Sequence, residues 1–261
     1  MTILVLFHNY GSRTFKDFYI KIVMKYMKKK FPDLVSYNRF IELIPNALKP
    51  LILFLKIKRL RKSEQITFID STKIAISNNK RITRNKTFKG IAKRGKSTMG
   101  WFFGFKLHIA INETGELIGA NISQGNVDDR NMEILDYVLE NVQGKLYADK
   151  GYISQKLFEH LYEKGISLVT NVKKNMKNKL MPLMDKILLR KRSVIETVND
   201  QLKNMCNIEH SRHRSPTNFF VNLVAGLIRY TYFEKKPSIN FSQKDREFLL
   251  SVSSSTNLIC L

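Results

Sequence analysis

Residues 66–72, ITFIDST, decide the fold. Before Ile66 the apolar residues recur at the three-and-four spacing of helices. From Ile66 they follow a strand period, and this first strand closes on an acid, Asp70. Downstream, WFFGFKLHIAI (101–111) and ELIGANIS (116–123) also read as strands, joined by a turn at 112–115, so the three form a meander. NMEILDYVLENV (131–142) then reads as a helix, KLYAD (145–149) as a buried strand, SQKLFEHLYEKG (154–165) as a helix ending at Gly165, and SLVTNVK (167–173) as a fifth strand. Helices resume after Pro182 and end with one over about 218–233. Strand, strand, strand, helix, strand, helix, strand, helix is an α/β order in which the later strands join by crossovers.

Upstream, Phe15, Phe18, Tyr19, Ile22, Val23, Tyr26 and Met27 form the stripe of an amphipathic helix within 12–31. Ser36 is placed to cap a second short helix over 37–44, which Pro45 stops. A third, broken by Pro50, runs through LILFLKIKRLRK and ends near Ser63. Two helices joined by a tight turn fit a helix-turn-helix, in which Tyr37, Asn38 and Arg39 would meet DNA. They equally fit a small helical bundle with those residues on its surface. The expected organisation is a helical region at 1–63, an α/β domain with a mixed sheet flanked by helices at 64–235, and a polar tail at 236–261 that ends frayed.

Lys and Arg outnumber Asp and Glu by 45 to 22, a formal net charge of +23, so the surface should attract a polyanion. Nucleic acid is the first candidate. The longest apolar runs, such as LILFL and LVAGLI, fall far short of the ~20 residues a membrane span needs. MTILVLFHNY lacks a basic n-region and a small-residue cleavage site, so it does not read as a signal peptide, and a cytoplasmic protein is expected. With only Cys206 and Cys260 there is no disulfide framework.

Against this basic background three acids stand out: Asp70, Asp149 in KLYADKGY, and Glu196 in RKRSVIETVNDQLKN. If the first and fourth strands are parallel neighbours, both aspartates emerge at the same carboxyl edge, the usual place for a site in an open α/β sheet. A helix crossing that edge adds the glutamate. Three carboxylates so gathered repel one another unless cations lie between them, and hard oxygen donors suit Mg²⁺ or Mn²⁺. A pair of such ions can activate an attacking hydroxyl and stabilise the leaving oxygen at phosphorus.

The motifs FIDST around Asp70, residues 85–108, GNVDDRN (125–131), DKGYIS (149–154), NVKKNMKN (171–178), LRKRSVIETVNDQLKN (189–204) and IEHSRHRSPTNF (208–219) carry a family resemblance. In their order, over roughly residues 13–233, the chain resembles the bacterial insertion-sequence transposases of the DDE class, most closely the insertion-sequence 982 type. The resemblance implies an RNase H-like core with Asp70, Asp149 and Glu196 as the DDE triad. It also implies divalent metal, hydrolysis at transposon ends, joining of the freed 3′-hydroxyl to target DNA, and a homodimer in a synaptic complex. Family members usually have further residues upstream, so the helical region is expected to be shortened at its start. Related transposases carry an Arg four residues before the glutamate, a Lys seven after it, and a Tyr. Arg192 and Lys203 fit those offsets, while Leu189 stands where the Tyr would be. On a helix Arg192, Glu196, Asn199 and Lys203 fall near one face, so the cations would grip phosphates beside the carboxylate. A nuclease of the same fold without strand transfer, and a DNA-binding remnant that no longer cuts, are the alternatives.

Residues 71–112 contain no acid but ten Lys and Arg, among them Lys93, Arg94 and Lys96, and should lie along DNA backbone. Lys150, next to Asp149, and Arg212, His213 and Arg214 are further candidate DNA contacts. Trp101 is either a stacking platform for an unpaired base or, as strand aromatics commonly are, core. Residues 90–97, GIAKRGKS, satisfy the phosphate-loop pattern literally, but a polar stretch precedes them and WFFGF follows, so they read as a DNA-facing basic loop and no nucleotide cofactor is expected. Cys206, His210 and His213 lack a fourth zinc ligand. Asp128 and Asp129 are read either as further metal ligands or, in preference, as caps of the helix that starts at Asn131.

Overall fold

A computed structural model describes residues 1–240 except 13, 64, 99, 173–179 and 210–212. Arg212, His210, most of NVKKNMKN and the tail beyond 240 lie outside the described residues.

The α/β domain is built on six strands: β1 (Ile66–Ser77), β2 (Lys93–Ser97), β3 (Gly100–Asn112), β4 (Leu117–Gln124), β5 (Gly144–Ala148) and β6 (Ile166–Thr170). β1 pairs antiparallel with β3 and parallel with β5, which pairs parallel with β6. The outer edge of β3 carries β2 along its first residues and β4 along the rest. The order β4-β3-β1-β5-β6 is therefore a mixed sheet, antiparallel where the meander folds back and parallel where crossovers intervene, as the RNase H-like reading requires. Gly115, at φ +74, makes the meander's second turn, its N–H reaching the Asn112 carbonyl at 3.1 Å.

Helices cover both faces. On one, α4 (Met132–Val138) and α5 (Gln155–Glu163) bury Leu135, Val138, Leu157 and Leu161 against Ile69, Ala110, Leu146 and Ala148. On the other, α6 (Leu183–Lys191), α7 (Ser193–Asn204) and α8 (Pro216–Thr231) pack Leu188, Ile195, Val198, Leu202 and Phe219 against Phe68, Ile74, Leu107, Ile109 and Tyr147. The strand alternation that assigns Phe68 to one face and Ile69 to the other keeps the two cores separate. Buried Asp185 at the start of α6 anchors this layer, accepting from Lys145 Nζ at 2.8 Å and Tyr147 Oη at 2.7 Å on β5.

The N-terminal region is helical, as expected: α1 (Thr2–Phe7), α2 over residues 15–26 and α3 over residues 37–59. Phe15 and Tyr19 of α2 pack on Phe40 of α3, and Leu51 and Leu55 of α3 join the core under α8. Ser36 does cap α3, accepting from Arg39 N. The prolines do not break it. Pro45 falls in a tighter turn, Ile44–Ala47, and Pro50 in the first turn of Leu48–Phe54, where a missing N–H costs little.

Two further expectations are corrected. Asp70 does not close β1, which runs on to Ser77 because β3 pairs with it throughout. Nor is the basic stretch 90–97 wholly loop. Its second half is β2, hairpin partner of Gly100–Phe103, and a Cβ on Gly95 would stand 2.0 Å from the Gly125 carbonyl oxygen, so only glycine fits there.

Candidate active site

Phe68 on β1 is in parallel register with Tyr147 on β5, so two residues further along Asp70 and Asp149 stand level. β5 ends at Ala148, and beyond it β1 continues without its parallel partner. The level pair is therefore at the opening of the carboxyl edge. Asp149 begins a short turn, Lys150–Tyr152, accepting from Gly151 N at 2.8 Å. α7 crosses on the same face and brings Arg192, Glu196, Asn199 and Lys203 alongside.

Asp70 is held from two sides. Asn199 Nδ2 donates to its Oδ2 at 3.0 Å, and Arg192 Nη1 stands 3.8 Å from its Oδ1. Arg192 Nη2 meanwhile donates to Glu196 Oε1 at 2.9 Å. The guanidinium thus lies between two of the three acids. Burial, with the nearby charges of Asp149 and Glu196, raises the Asp70 carboxyl to about 7 against the opposing pull of Arg192. Among the described residues no three His, Cys, Asp or Glu side chains converge closely enough to hold a metal ion, since Glu196, with 59% of its side chain exposed, is turned to Arg192. The donor set still fits a hard divalent cation. It is all carboxylate oxygen, and a raised carboxyl beside two like charges is what an added cation relieves.

The remaining candidates divide into two places. β2 presents exposed Lys93, Arg94 and Lys96, with Trp101 opposite Lys96 across the hairpin. Trp101 is not core: it is 61% exposed, with Lys96 Nζ 5.9 Å from its ring, while Phe102 and Phe103 are buried. A cleft of about 450 Å³, lined by Arg94, Lys96, Trp101, Lys106, Asp129 and Gly151, runs from this hairpin to the turn of Asp149 and exposed Lys150. Lys203 lies on the α7 stripe but pairs with Glu209 at 3.3 Å, and Glu209 Oε1 in turn accepts from Ala75 N at 3.0 Å.

The other place lies around the N-terminal helices. Tyr37, Asn38, His213 and Arg214 line one cleft of about 760 Å³ between α3 and the start of α8. Arg39 is exposed and paired with Glu42 at 2.8 Å. Tyr37 is half-buried with its ring against Tyr19, so it is not the ordinary surface residue of the helical-bundle alternative. His213 packs edge-on to Phe219, and burial lowers its imidazole to about 4, so it is neutral near pH 7. Cys206 is buried, its thiol pushed up to about 12, which suits core and not a zinc ligand.

Asn131, not Asp128 or Asp129, caps α4, accepting from Ile134 N. Asp128 is taken by Arg130 at 2.7 Å and Asp129 by Lys106 at 3.0 Å. Sequence reading placed Asn199 on the α7 stripe without giving it a task. Its signal was a polar residue between Val198 and Leu202, where the helix faces core.

A family model described as a transposase DDE domain matches residues 60–216. No curated protein matches. Among solved structures, a piggyBac transposase synaptic complex with hairpin DNA is 14% identical, covering 97% of this chain and 70% of that one, with a TM-score of 0.47. The Mos1 strand transfer complex is 6% identical, covering 87% and 73%, with a TM-score of 0.24. A simian T-cell lymphotropic virus intasome in complex with PP2A regulatory subunit B56 gamma is 12% identical, covering 59% of this chain at a TM-score of 0.29, and the match spans about half, 49%, of that chain. Among the described residues no helix is long and apolar enough to cross a membrane.

Proposed function

Since the chain belongs to the transposase DDE domain family, we propose that it is an insertion-sequence transposase of the 982 type, acting on DNA through Asp70, Asp149 and Glu196. In this reading it binds the terminal inverted repeats, hydrolyses the phosphodiester at their ends, and joins the freed 3′-hydroxyl to target DNA as a homodimer in a synaptic complex. The observation that supports the reading is the level placement of Asp70 on β1 and Asp149 just past the end of its parallel neighbour β5, with Asn199 of α7 reaching Asp70 at the same edge. Mg²⁺ or Mn²⁺ held by the three carboxylates would supply Lewis acidity toward the phosphate and the attacking hydroxyl.

The chain's own residues do the rest. Arg192, freed from Glu196 once the acids gain another counter-charge, turns to a phosphate oxygen, where its planar fork is worth most. Lys93, Arg94 and Lys96 track the backbone along β2, Lys150 meets it beside Asp149, and Trp101 offers a stacking face at the hairpin. Lys203 supports the α7 stripe. Arg39, His213 and Arg214 belong to a second contact, at residues 1–63 and the start of α8, where the terminal repeat is gripped away from the chemistry, and Arg212 is carried with them as a DNA contact.

Asp149→Asn or Glu196→Gln should abolish Mg²⁺-dependent nicking of a terminal-repeat duplex while salt-sensitive binding persists. Nicking retained in either variant sinks the triad. A pre-cleaved 3′-hydroxyl end supplied with plasmid should give joined product; cutting without joining would make the protein a nuclease of the same fold.

A further inference from the structure

We propose that Asn199 is a positioning residue for Asp70, fixing which of its two carboxylate oxygens faces a divalent cation; the inference rests on the metal-site reading above. Asn199 Nδ2 donates to Asp70 Oδ2 at 3.0 Å, while Oδ1 of the same carboxylate looks toward the Arg192 guanidinium, 3.8 Å away. The two oxygens are thereby given different work. One is satisfied by a neutral donor, and the other is left on the side where the Arg192 guanidinium stands. An amide suits this better than a second cation would. It orients the carboxylate without supplying a charge that would compete with the metal ion.

A second observation makes the amide more than packing. Asn199 is 6% exposed on a helix face it shares with Val198 and Leu202, where an aliphatic side chain would serve the core equally well. Its other end, Oδ1, is buried with no hydrogen-bond partner among the described residues. A buried carbonyl oxygen is normally satisfied, and an orphan one beside a cluster of acids marks a place where a proton donor arrives with the ligand. Asn199 reaches the acidic group as an uncharged donor, through a bond spanning two elements 129 positions apart in sequence.

The test measures Mn²⁺ binding to the full chain without DNA, by calorimetry and by the electron paramagnetic resonance signal of the free ion. Asn199→Leu, which fills the volume, should bind Mn²⁺ at least about tenfold more weakly, the range seen when a ligand's supporting partner is removed. Its melting curve and its DNA affinity should stay close to wild type. Raising Mn²⁺ about tenfold should restore nicking in Asn199→Leu and not in Asp70→Asn. Should the leucine variant fail to fold, Asn199→Ala, which only removes atoms, carries the same expectation. Mn²⁺ binding within about twofold of wild type in a folded variant, with Asp70→Asn abolishing it, overturns the role of Asn199, and so does nicking that added Mn²⁺ does not rescue. If Asp70→Asn binds Mn²⁺ like wild type, the metal-site reading beneath the inference fails instead.

Discussion

Arg192 stands in contact with Asp70 and Glu196 at once, and its positive charge offsets both acids where they approach each other. Its side chain is only 18% exposed, so the charges it offsets are not simply dissolved in water. Replacing it removes that compensation while leaving the acids in place. Arg192→Gln should therefore lower metal-free stability by about 1–3 kcal/mol, the usual cost of stranding a partly buried polar partner. Mg²⁺ should then raise the melting temperature of the variant by more than it raises that of wild type, because the added cation replaces the lost one. Thermal melts with and without Mg²⁺ decide the matter; equal gains in both proteins would mean that Arg192 and the metal do not serve the same acids. The level placement of Asp70 and Asp149 was legible because acids are scarce in this chain and because the crossovers make their strands parallel neighbours. The task of Asn199 was not, since an uncharged amide offers no contrast with its surroundings and its partner is supplied by tertiary packing.

The β2–β3 hairpin shows why some elements escape a reading by period. KRGKS has no apolar alternation, so nothing in its own composition marks a strand. It exists because WFFGF provides the pairing edge and because Gly95 lets the hairpin press onto the Gly125 backbone. The opposite edge of β3 draws β1 past Asp70 to Ser77, through Ser71, Thr72 and Lys73, which carry no apolar alternation of their own. Strands with buried apolar alternation, and helices with a capping residue, were legible within a few positions. Prolines misled where they fell in first turns. The hairpin's charges set an expectation at this scale. Arg94→Gln and Lys96→Gln should each weaken binding to any duplex and reduce the slope of log K against log salt by about 0.9, one phosphate contact apiece. Fluorescence anisotropy over a salt series measures this. Slopes unchanged in both variants would place the DNA elsewhere.

At the scale of the molecule, the N-terminal helices are not a separate bead but are seated on the α/β domain, and His8 is one of the fastenings. Its Nδ1 bonds the Cys206 carbonyl just past α7, and Asn9 beside it takes Arg229 of α8. Burial lowers the His8 imidazole from 6.5 to about 4; the Cys206 and Asn222 carbonyls oppose the shift, while the Arg229 guanidinium, and His213 once it is protonated, add to it. His108, bonded to Ser123 inside the sheet, and His213 are lowered to about 4 as well, both by burial. The folded state therefore holds these rings neutral over a range in which the unfolded chain protonates them. Since the unfolded chain binds more protons there, stability rises with pH across the window. The contribution is complete above 6.5 and is lost as pH falls toward 4, on the order of 3 kcal/mol for each fully buried ring. Denaturant midpoints should fall between pH 6.5 and 4.5, with the slope of the three rings partly offset by Asp70, whose raised carboxyl takes up a proton in the folded state over the same window. His8→Gln, which keeps a donor for the Cys206 carbonyl but cannot titrate, should remove one proton from that slope and leave the neutral-pH midpoint nearly where it was. A slope identical to wild type would mean that the ring is hydrated, and that the N-terminal helices open from the domain before the acid transition begins.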